Sequence, residues 1–463
     1  MSPEPRRLHR AGIAVYAVGA LREFAVPLLV LVVLSAFRGG MDEGSMLRGL
    51  AFGLIGVVAS TVLGFLRWRT TTWWVTPDAV HRKSGLIGTK ETDVPLTRIQ
   101  SLDLEQGPVQ RLFGVYAVHV QTGGGGAQGE IVLDATGEDD VRELRSLLAD
   151  RGPAPAPETQ GPERRLARSR LLIAALTAGQ LGVILPVVAG LFQLVQQPFD
   201  EDDAVRLLPH TVMAAVAIVV ALLVAAWLLS VLGSVIAFSG FTVTREGDRL
   251  RIRRGLLARR EATVPVERVR AVEVVENVLR LPFGFAALRM EVIGHAKEAA
   301  AAQSLFPLLR RDEVRGFLDE LLPELADDLD GLERPPARAA RRYVLPPAVF
   351  GALVGAGVWA FTPAGPWVLP AAFLLGGYGL LRHRTAGWRL DGGRLAIRSL
   401  RLSRTTVLGP ARYREWHEVS QNPFQRRGRL ADVFVAFGKQ TDARVRHLEL
   451  ATADALYDRL SRL

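Results

Sequence analysis

Long apolar runs recur along the chain and fall in three pairs. The six runs lie at residues 20–37, 46–65, 171–195, 211–238, 344–361 and 367–381. Each is long enough, or nearly long enough, to cross a bilayer as a helix, because about 20 apolar residues span the hydrocarbon layer. The last two runs are separated only by Thr362–Pro366, a turn typical of an antiparallel helix hairpin. The pattern therefore predicts three pairs of transmembrane helices, at residues 20–66, 171–238 and 344–381.

One motif repeats in the three segments that follow the helix pairs. These segments, called the first, second and third repeats below, are residues 73–150, 240–323 and 388–463. The first contains V-P-L-T-R-I from Val94 and the second V-P-V-E-R-V from Val264, and a glycine follows the proline at the same distance in both. The third copy is more divergent, since it keeps Pro410 but has Arg429 in place of that glycine.

Alternation of polar and apolar residues predicts that each repeat is rich in β-strands. The segments Arg249–Arg253 and Arg268–Val274 alternate as strands with one buried face do. Gly247 and the segment Asp391–Gly393 are hairpin turn signals in equivalent places. An amphipathic pattern at the end of each repeat predicts a closing helix, at residues 139–148, 312–322 and 452–463.

The run V-P-L-T-R-I-Q-S-L-D-L-E-Q-G-P-V-Q-R-L-F-G from Val94 resembles the bacterial pleckstrin-homology-like (PH-like) domain of membrane-flanked proteins. Three tandem copies are similar to the long multi-pass members of that family, and the resemblance covers nearly the whole chain. It implies that each repeat folds as a split β-barrel of two antiparallel sheets, with the C-terminal helix plugging one end. The expected fold class is thus six transmembrane helices in three pairs, each pair followed by a PH-like domain.

The distribution of charge predicts how the chain lies in a membrane. The chain carries 57 Lys and Arg against 47 Asp and Glu, a net charge of +10. Basic residues near spans stay on the cytoplasmic side, and the connections within the pairs hold only Arg38, Arg48 and Arg206 at their edges. The N-terminal segment 1–19, the linkers 151–168 and 324–342 and the three repeats are therefore predicted to face the cytoplasm. The predicted location is the cytoplasmic membrane of a bacterium.

Composition and motifs argue against catalysis. The hydrophobic fraction of 49% excludes a disordered chain, and the absence of cysteine excludes disulfides and thiolate metal sites. The sequence contains no G-x-x-x-x-G-K-[ST], H-E-x-x-H or G-x-S-x-G motif, and its eight histidines are scattered. We therefore expect no catalytic residue, no cofactor and no metal site, and a protein that is not an enzyme.

The one candidate site is a cluster of arginines on a hairpin of the second repeat. It comprises Arg249, Arg251, Arg253, Arg254, Arg259 and Arg260. Guanidinium groups bind phosphates through paired hydrogen bonds, and each basic residue near an anionic leaflet contributes about 1 kcal/mol to membrane attraction. Two interpretations stay open: the cluster contacts anionic lipid, or it is the solvated face of a small barrel.

Three classes of function are compatible with these patterns. The leading hypothesis is a non-enzymatic membrane scaffold or sensor whose cytoplasmic repeats bind partner proteins or anionic lipid at the inner leaflet. The alternative is a transporter or channel component, which would need polar residues along six helices that are almost entirely apolar; an enzyme acting on lipid comes third. The implied partners are the lipid bilayer, anionic phospholipid headgroups, and other membrane proteins or further copies of the chain. Nucleic acid is not among them, because the flanks of the spans explain much of the positive charge.

Overall fold

A computed structural model describes most of the chain. The described residues are 5–21, 43–85, 88–122, 131–149, 161–177, 209–293, 303–361, 370–438 and 441–463. Most of each apolar run at residues 20–37 and 171–195 lies outside them, as do residues 151–160 of the first linker. Two compact units make up the chain: Met1–Gly161 with Thr244–Val264 and Gly294–Ala301, and Pro162–Val243 with Pro265–Ile293 and Ala302–Leu463. The boundary between the two units therefore runs through the second repeat.

The helices outside the repeats follow the apolar pattern. They comprise residues 12–21, Glu43–Thr70, Arg168–Leu176, Pro209–Phe238, Ala340–Phe361 and Pro370–Thr385. Arginines end two of them, since Arg67 and Arg69 lie in the last turn of one and Arg382 and Arg384 in the last turn of another. Positive charge there is stabilising, because it is attracted to the partial negative charge of a helix C-terminus. Across the part of the chain that the structure describes, no helix has both the length and the apolar character needed to cross a membrane.

The first repeat consists of two small sheets and a closing helix around one core. Its strands are Thr72–Val75, Ala79–Ser84 and Lys90–Pro95 in the first sheet and Ile99–Gln106, Tyr116–Thr122 and Ile131–Thr136 in the second. The N-terminal strand Arg6–Arg7 extends the first sheet by pairing with Trp73 and Thr72. Val80 from the first sheet, Val118 and Leu133 from the second, and Leu144 from the helix Glu138–Ala149 share the core.

The second and third repeats have the same order of elements. The strands of the second are Thr242–Glu246, Arg249–Arg254, Arg259–Pro265, Val269–Asn277, Phe285–Val292 and Ser304–Arg310, before the helix Val314–Leu321. Those of the third are Gly387–Asp391, Arg394–Leu400, Ser403–Pro410, Trp416–Ser420, Leu430–Ala436 and Asp442–Glu449, before the helix Leu450–Ser461. The predicted plan of strands followed by a closing helix is confirmed in all three repeats.

The repeated proline marks the corner between the two groups of strands in every copy. Pro95, Pro265 and Pro410 each end a strand and begin a single 3₁₀ turn. Proline suits this position because its ring holds φ near the value that the corner needs. We call the strand that ends at the proline the proline strand, and the strand after the turn the post-proline strand.

A tight turn follows the post-proline strand in each repeat, at the position where the third copy has arginine instead of glycine. Its backbone conformation is the same in all three copies. Gly114 has φ 66°, Gly284 has φ 65° and Arg429 has φ 48°, so all three lie in the left-handed region. Glycine adopts this conformation freely, whereas an L-residue with a side chain is disfavoured there by about 1–2 kcal/mol. The third repeat therefore keeps the turn at an energetic cost.

Successive repeats are joined by strand pairing, which the sequence patterns do not predict. The post-proline strand of the first repeat pairs with the proline strand of the second, with Arg259 opposite Gln106. We call this the first junction, and it lies within the first compact unit. Across it, the guanidinium of Arg260 donates to Glu105 with an Nη2–Oε1 distance of 2.7 Å.

The second junction pairs the post-proline strand of the second repeat with the proline strand of the third, and it lies within the second compact unit. Here Glu276 lies opposite Arg404. The Glu276 side chain is only 1% exposed, and Nε of Arg404 donates to its Oε2 at 2.6 Å. Arg311 approaches the same carboxylate at 3.7 Å. A carboxylate buried to this degree requires cationic partners.

Candidate functional site

The predicted arginine cluster lies on the hairpin formed by strands Arg249–Arg254 and Arg259–Pro265. Leu250 and Ile252 point into the core, Arg249 and Arg253 on either side of them are exposed, and Arg251 between them is partly buried. Alternation along the strand therefore carries Arg249, Arg251 and Arg253 on one face, as the sequence predicts.

Carboxylates engage several of these arginines. Nε of Arg251 donates to Glu261 at 2.7 Å and its Nη1 lies 3.2 Å from Glu246. Burial acts to lower the pKa of Arg251, but the two carboxylates more than offset it, so the pKa is raised. Nε of Arg253 also donates to Glu261, at 3.3 Å. These two side chains therefore help to hold the hairpin together.

The remaining arginines of the cluster differ in their surroundings. Arg260 makes the ion pair with Glu105 across the first junction. Burial lowers the pKa of Arg254, and the nearby charge of Arg260 lowers it further. Arg249 and Arg259 are exposed, with Asp248 4.0 Å from Arg249. Lipid contact by this cluster stays a prediction, and its solvent-facing members are Arg249, Arg253, Arg259 and Arg260.

A second basic site, which sequence reasoning missed, is a cleft in the third repeat. We call it the arginine cleft, and it is lined by Tyr343, Arg382, Ala386, Ser399, Leu400, Arg401, Arg444 and Arg446. The cleft is small, with a volume of about 20 Å³, and is partly open to solvent. A cleft of this size holds about one water molecule, so a ligand would contact its arginines from the solvent side.

Two helices and two strands bring these arginines together. Arg382 lies in the last turn of the helix Pro370–Thr385, where its Nε donates to the carbonyl of Leu400 at 3.2 Å. Its guanidinium lies over the rings of Tyr343 and Tyr378, at 5.9 and 5.6 Å from their centroids. Such cation–π contacts hold an arginine in place without neutralising its charge.

The helix pair approaches closely at the cleft because of one glycine. A Cβ atom at Gly379 would overlap the carbonyl of Tyr343 on the neighbouring helix. The hydroxyl of Tyr343 in turn donates to the carbonyl of Arg446 at 2.8 Å. This sequence of contacts connects the helix pair Ala340–Phe361 and Pro370–Thr385 to the last strand of the repeat.

Arg444 and Arg446 lie in the same cleft because side chains alternate along the strand Asp442–Glu449. Their neighbours Ala443 and Val445 are buried in the core. Asp432 binds Arg444 at 2.7 Å, and Asp442 lies 3.5 Å from Arg401.

The charge of the cleft is positive. Burial lowers the pKa of Arg446, and the neighbouring guanidinium groups of Arg444 and Arg382 lower it further. Four guanidinium groups therefore line the cleft, and the two carboxylates paired with them, Asp432 and Asp442, leave excess positive charge. A phosphate suits this arrangement, because arginine presents paired donors to its oxygens.

The sequence contains no local signal for this cleft. Its residues come from four separate stretches, around Tyr343, Arg382, Arg401 and Arg444, so no local motif joins them. Arg401 directly follows the strand Arg394–Leu400, and only tertiary packing brings it to the end of the helix pair. As for metals, the residues described here contain no group of three His, Asp or Glu side chains placed to bind an ion.

Comparison with known proteins agrees with a threefold repeat. The model of the family described as "Bacterial PH domain" matches the chain three times, at residues 18–152, 183–325 and 343–463. The chain is also similar to the UPF0699 transmembrane protein YdbT of Bacillus subtilis (strain 168), with 26% identity over 93% of this chain and 92% of that protein. Three matches that together cover most of the chain, and a fold of three repeated units, show that the protein belongs to the bacterial PH domain family.

Proposed function

We propose that this protein is a non-enzymatic, multi-pass membrane protein that presents three PH-like domains to the inner leaflet as a scaffold or sensor. We further propose that its arginine cleft binds the phosphate of an anionic lipid. The observation that carries the proposal is the position of the cleft, which lies at the end of the helix pair Ala340–Phe361 and Pro370–Thr385.

The apolar surface of this helix pair supports a membrane location. Large apolar side chains on both helices are exposed, among them Phe350, Leu353, Phe373 and Leu374. Continuous apolar surface of this kind marks contact with a membrane or a partner. Several of the six apolar runs also extend beyond the described residues, and the similar protein of Bacillus subtilis is called a transmembrane protein.

The location of the cleft supports a lipid headgroup as the ligand. A phosphate group lies at the boundary between the apolar layer and water, and the cleft lies where apolar helices give way to a polar domain. Arg382 is in the last helical turn, while Arg401, Arg444 and Arg446 come from the β-rich domain. A headgroup bound there would bring the third repeat against the membrane.

Topology can be tested with reporter fusions to the full chain. A reporter that is active only outside the cytoplasm should be inactive after Leu66 and active after Asp200, in the connection of the second helix pair. Activity after Leu66 would place the first repeat outside and would overturn the proposed location at the inner leaflet.

Lipid binding can be tested with native mass spectrometry of the full chain in detergent. We expect retention of phosphatidylglycerol in preference to phosphatidylcholine, and a loss of about fivefold per arginine in the variants Arg401→Gln and Arg446→Gln, since one such charge contributes about 1 kcal/mol. Arg427→Gln is the matched control, because Arg427 is an exposed arginine of the same repeat outside the cleft. Glycerol phosphate, added as a soluble competitor, distinguishes a lipid site from a site for free phosphate. Equal retention by all variants would overturn the site.

A further inference from the structure

The two internal junctions use one register. In the first junction Arg259, six residues before Pro265, lies opposite Gln106, which is eleven residues after Pro95. In the second junction Arg404, six residues before Pro410, lies opposite Glu276, which is eleven residues after Pro265. The same rule of pairing therefore joins the first repeat to the second and the second to the third.

This rule leaves one strand without a partner at each end of the series. The proline strand of the first repeat, Lys90–Pro95, is the edge of its sheet. The post-proline strand of the third repeat, Trp416–Ser420, is also an edge. Within the described residues, each of these strands has a single neighbouring strand. An unpaired edge offers N–H and C=O groups to a further strand.

We propose that these two edges pair between copies of this chain, so that the third repeat of one copy continues into the first repeat of the next. The register of the internal junctions, carried over to Pro410 and Pro95, places Ser420 opposite Lys90 and His417 opposite Asp93. The contact is head-to-tail, so it builds a ring where the rotation closes and a filament where it does not.

The side chains at the two edges are compatible with this pairing. Lys90, Glu91 and Asp93 are exposed on one edge, and Trp416 and Glu418 on the other. In the proposed register Glu418 is diagonal to Lys90, and no two like charges lie directly opposite. Opposite charges in such positions stabilise an antiparallel pair by about 0.2–1 kcal/mol. The first junction shows that charged edges do pair in this protein, because it contains the ion pair between Arg260 and Glu105.

Disulfide cross-linking of the full chain tests the register directly, because the native sequence contains no cysteine. Two single variants, Lys90→Cys and Ser420→Cys, are co-expressed in membranes and then oxidised. We expect a disulfide-linked dimer joining the two peptides, since directly opposite residues of antiparallel strands are close enough for a disulfide. Native mass spectrometry of the unmodified chain should show more than one copy.

The matched control is Lys90→Cys with Gln421→Cys, which is displaced by one residue and directs the second thiol to the other face of the sheet. Melting temperatures of the variants, followed by tryptophan fluorescence, establish that each is folded. The proposal would be overturned if the folded variants Lys90→Cys and Ser420→Cys cross-linked no more strongly than the control pair. Cross-linking only within one chain, when both cysteines are placed together, would also overturn it. Because neither outcome depends on Arg401 or Arg446, failure here is distinct from failure of lipid binding.

Discussion

The two junctions between repeats have the same strand register but differ in how they hold their charges. In the first, the side chains of Arg260 and Glu105 are 43% and 32% exposed. In the second, Glu276 is fully buried and is surrounded by Arg404 and Arg311. Water screens the first pair, whereas the second cannot lose a partner without leaving a buried charge. The same backbone register is therefore compatible with side-chain ion pairs that contribute very differently to stability.

The largest effect is expected when the buried junction loses its main cation. Arg404→Met should lower the free energy of unfolding by about 3 kcal/mol, because the buried carboxylate of Glu276 would lose its closest cation and keep more distant ones such as Arg311. Thermal unfolding of the full chain in detergent, followed by tryptophan fluorescence, measures this loss. Arg412→Met is the matched control, since Arg412 binds Glu324 in an exposed ion pair. A loss no greater than that of the control would show that burial does not distinguish the second junction.

The turn after each post-proline strand gives the next effect. Gly284→Ala should destabilise the protein by about 1 kcal/mol, because φ of 65° strains a residue with a side chain even where there is open space for it. Arg429→Gly, at the same place in the third repeat, should stabilise by a similar amount or less, as it relieves that strain. The two changes in melting temperature should have opposite signs. Equal signs would contradict the equivalence of the turns.

The pH dependence of stability should also differ between the junctions, because the second carries another carboxylate on its post-proline strand. Burial raises the pKa of Glu273, and the nearby Glu291 adds to this, although Thr441 and Arg289 act in the opposite direction. A raised carboxyl pKa favours the protonated form in the folded state. The stability that the protonated carboxyl of Glu273 contributes is therefore complete below about pH 4.5 and is lost as the pH rises through the pKa of the folded state.

Glu273→Gln should remove this loss, so the variant should be more stable than the parent at pH 7 and equal to it near pH 4. Melting temperatures across this range measure the difference. Glu267→Gln, at an exposed position of the same repeat, is the control and should leave the pH profile unchanged. A parallel profile for Glu273→Gln and its parent would contradict the assignment.

The smallest effect is expected at the exposed junction. Arg260→Met should cost less than about 1 kcal/mol, and the difference from the parent should shrink as salt is raised to about 1 M, because salt screens exposed pairs. Unfolding at low and high salt provides the measurement. A loss as large as that of Arg404→Met would mean that the two junctions do not differ in energy.

Much of the architecture followed from local patterns. Alternation at Arg249–Arg254 and the turn signals at Gly247 and Gly392 depend on neighbouring residues, so the strands and hairpins could be predicted, and the structure confirms them. The turn at Arg429 could not be predicted, because arginine does not indicate a left-handed conformation. The N-terminal strand Arg6–Arg7 was also missed, since two residues are too few for a periodic pattern.

The candidate sites also combine residues that the sequence indicates with contacts that only the structure shows. Arg251 and Arg260 were visible as part of a basic cluster, but strand pairing decides that Glu261 of the same hairpin engages Arg251 and that Glu105 of the first repeat engages Arg260. The arginine cleft was not visible at all, because Arg382 and Arg446 come close only when the helix pair packs against the last strand.

The sequence by itself determined the number of repeats, their β-rich character and the closing helices. These properties arise from periodicity and turn residues, which act over a few neighbouring positions. Only the tertiary structure decided which strand edges meet, which arginines are neutralised and which face a cleft. A strand edge presents the same backbone groups whatever its sequence, so the choice of partner depends on how the whole chain packs.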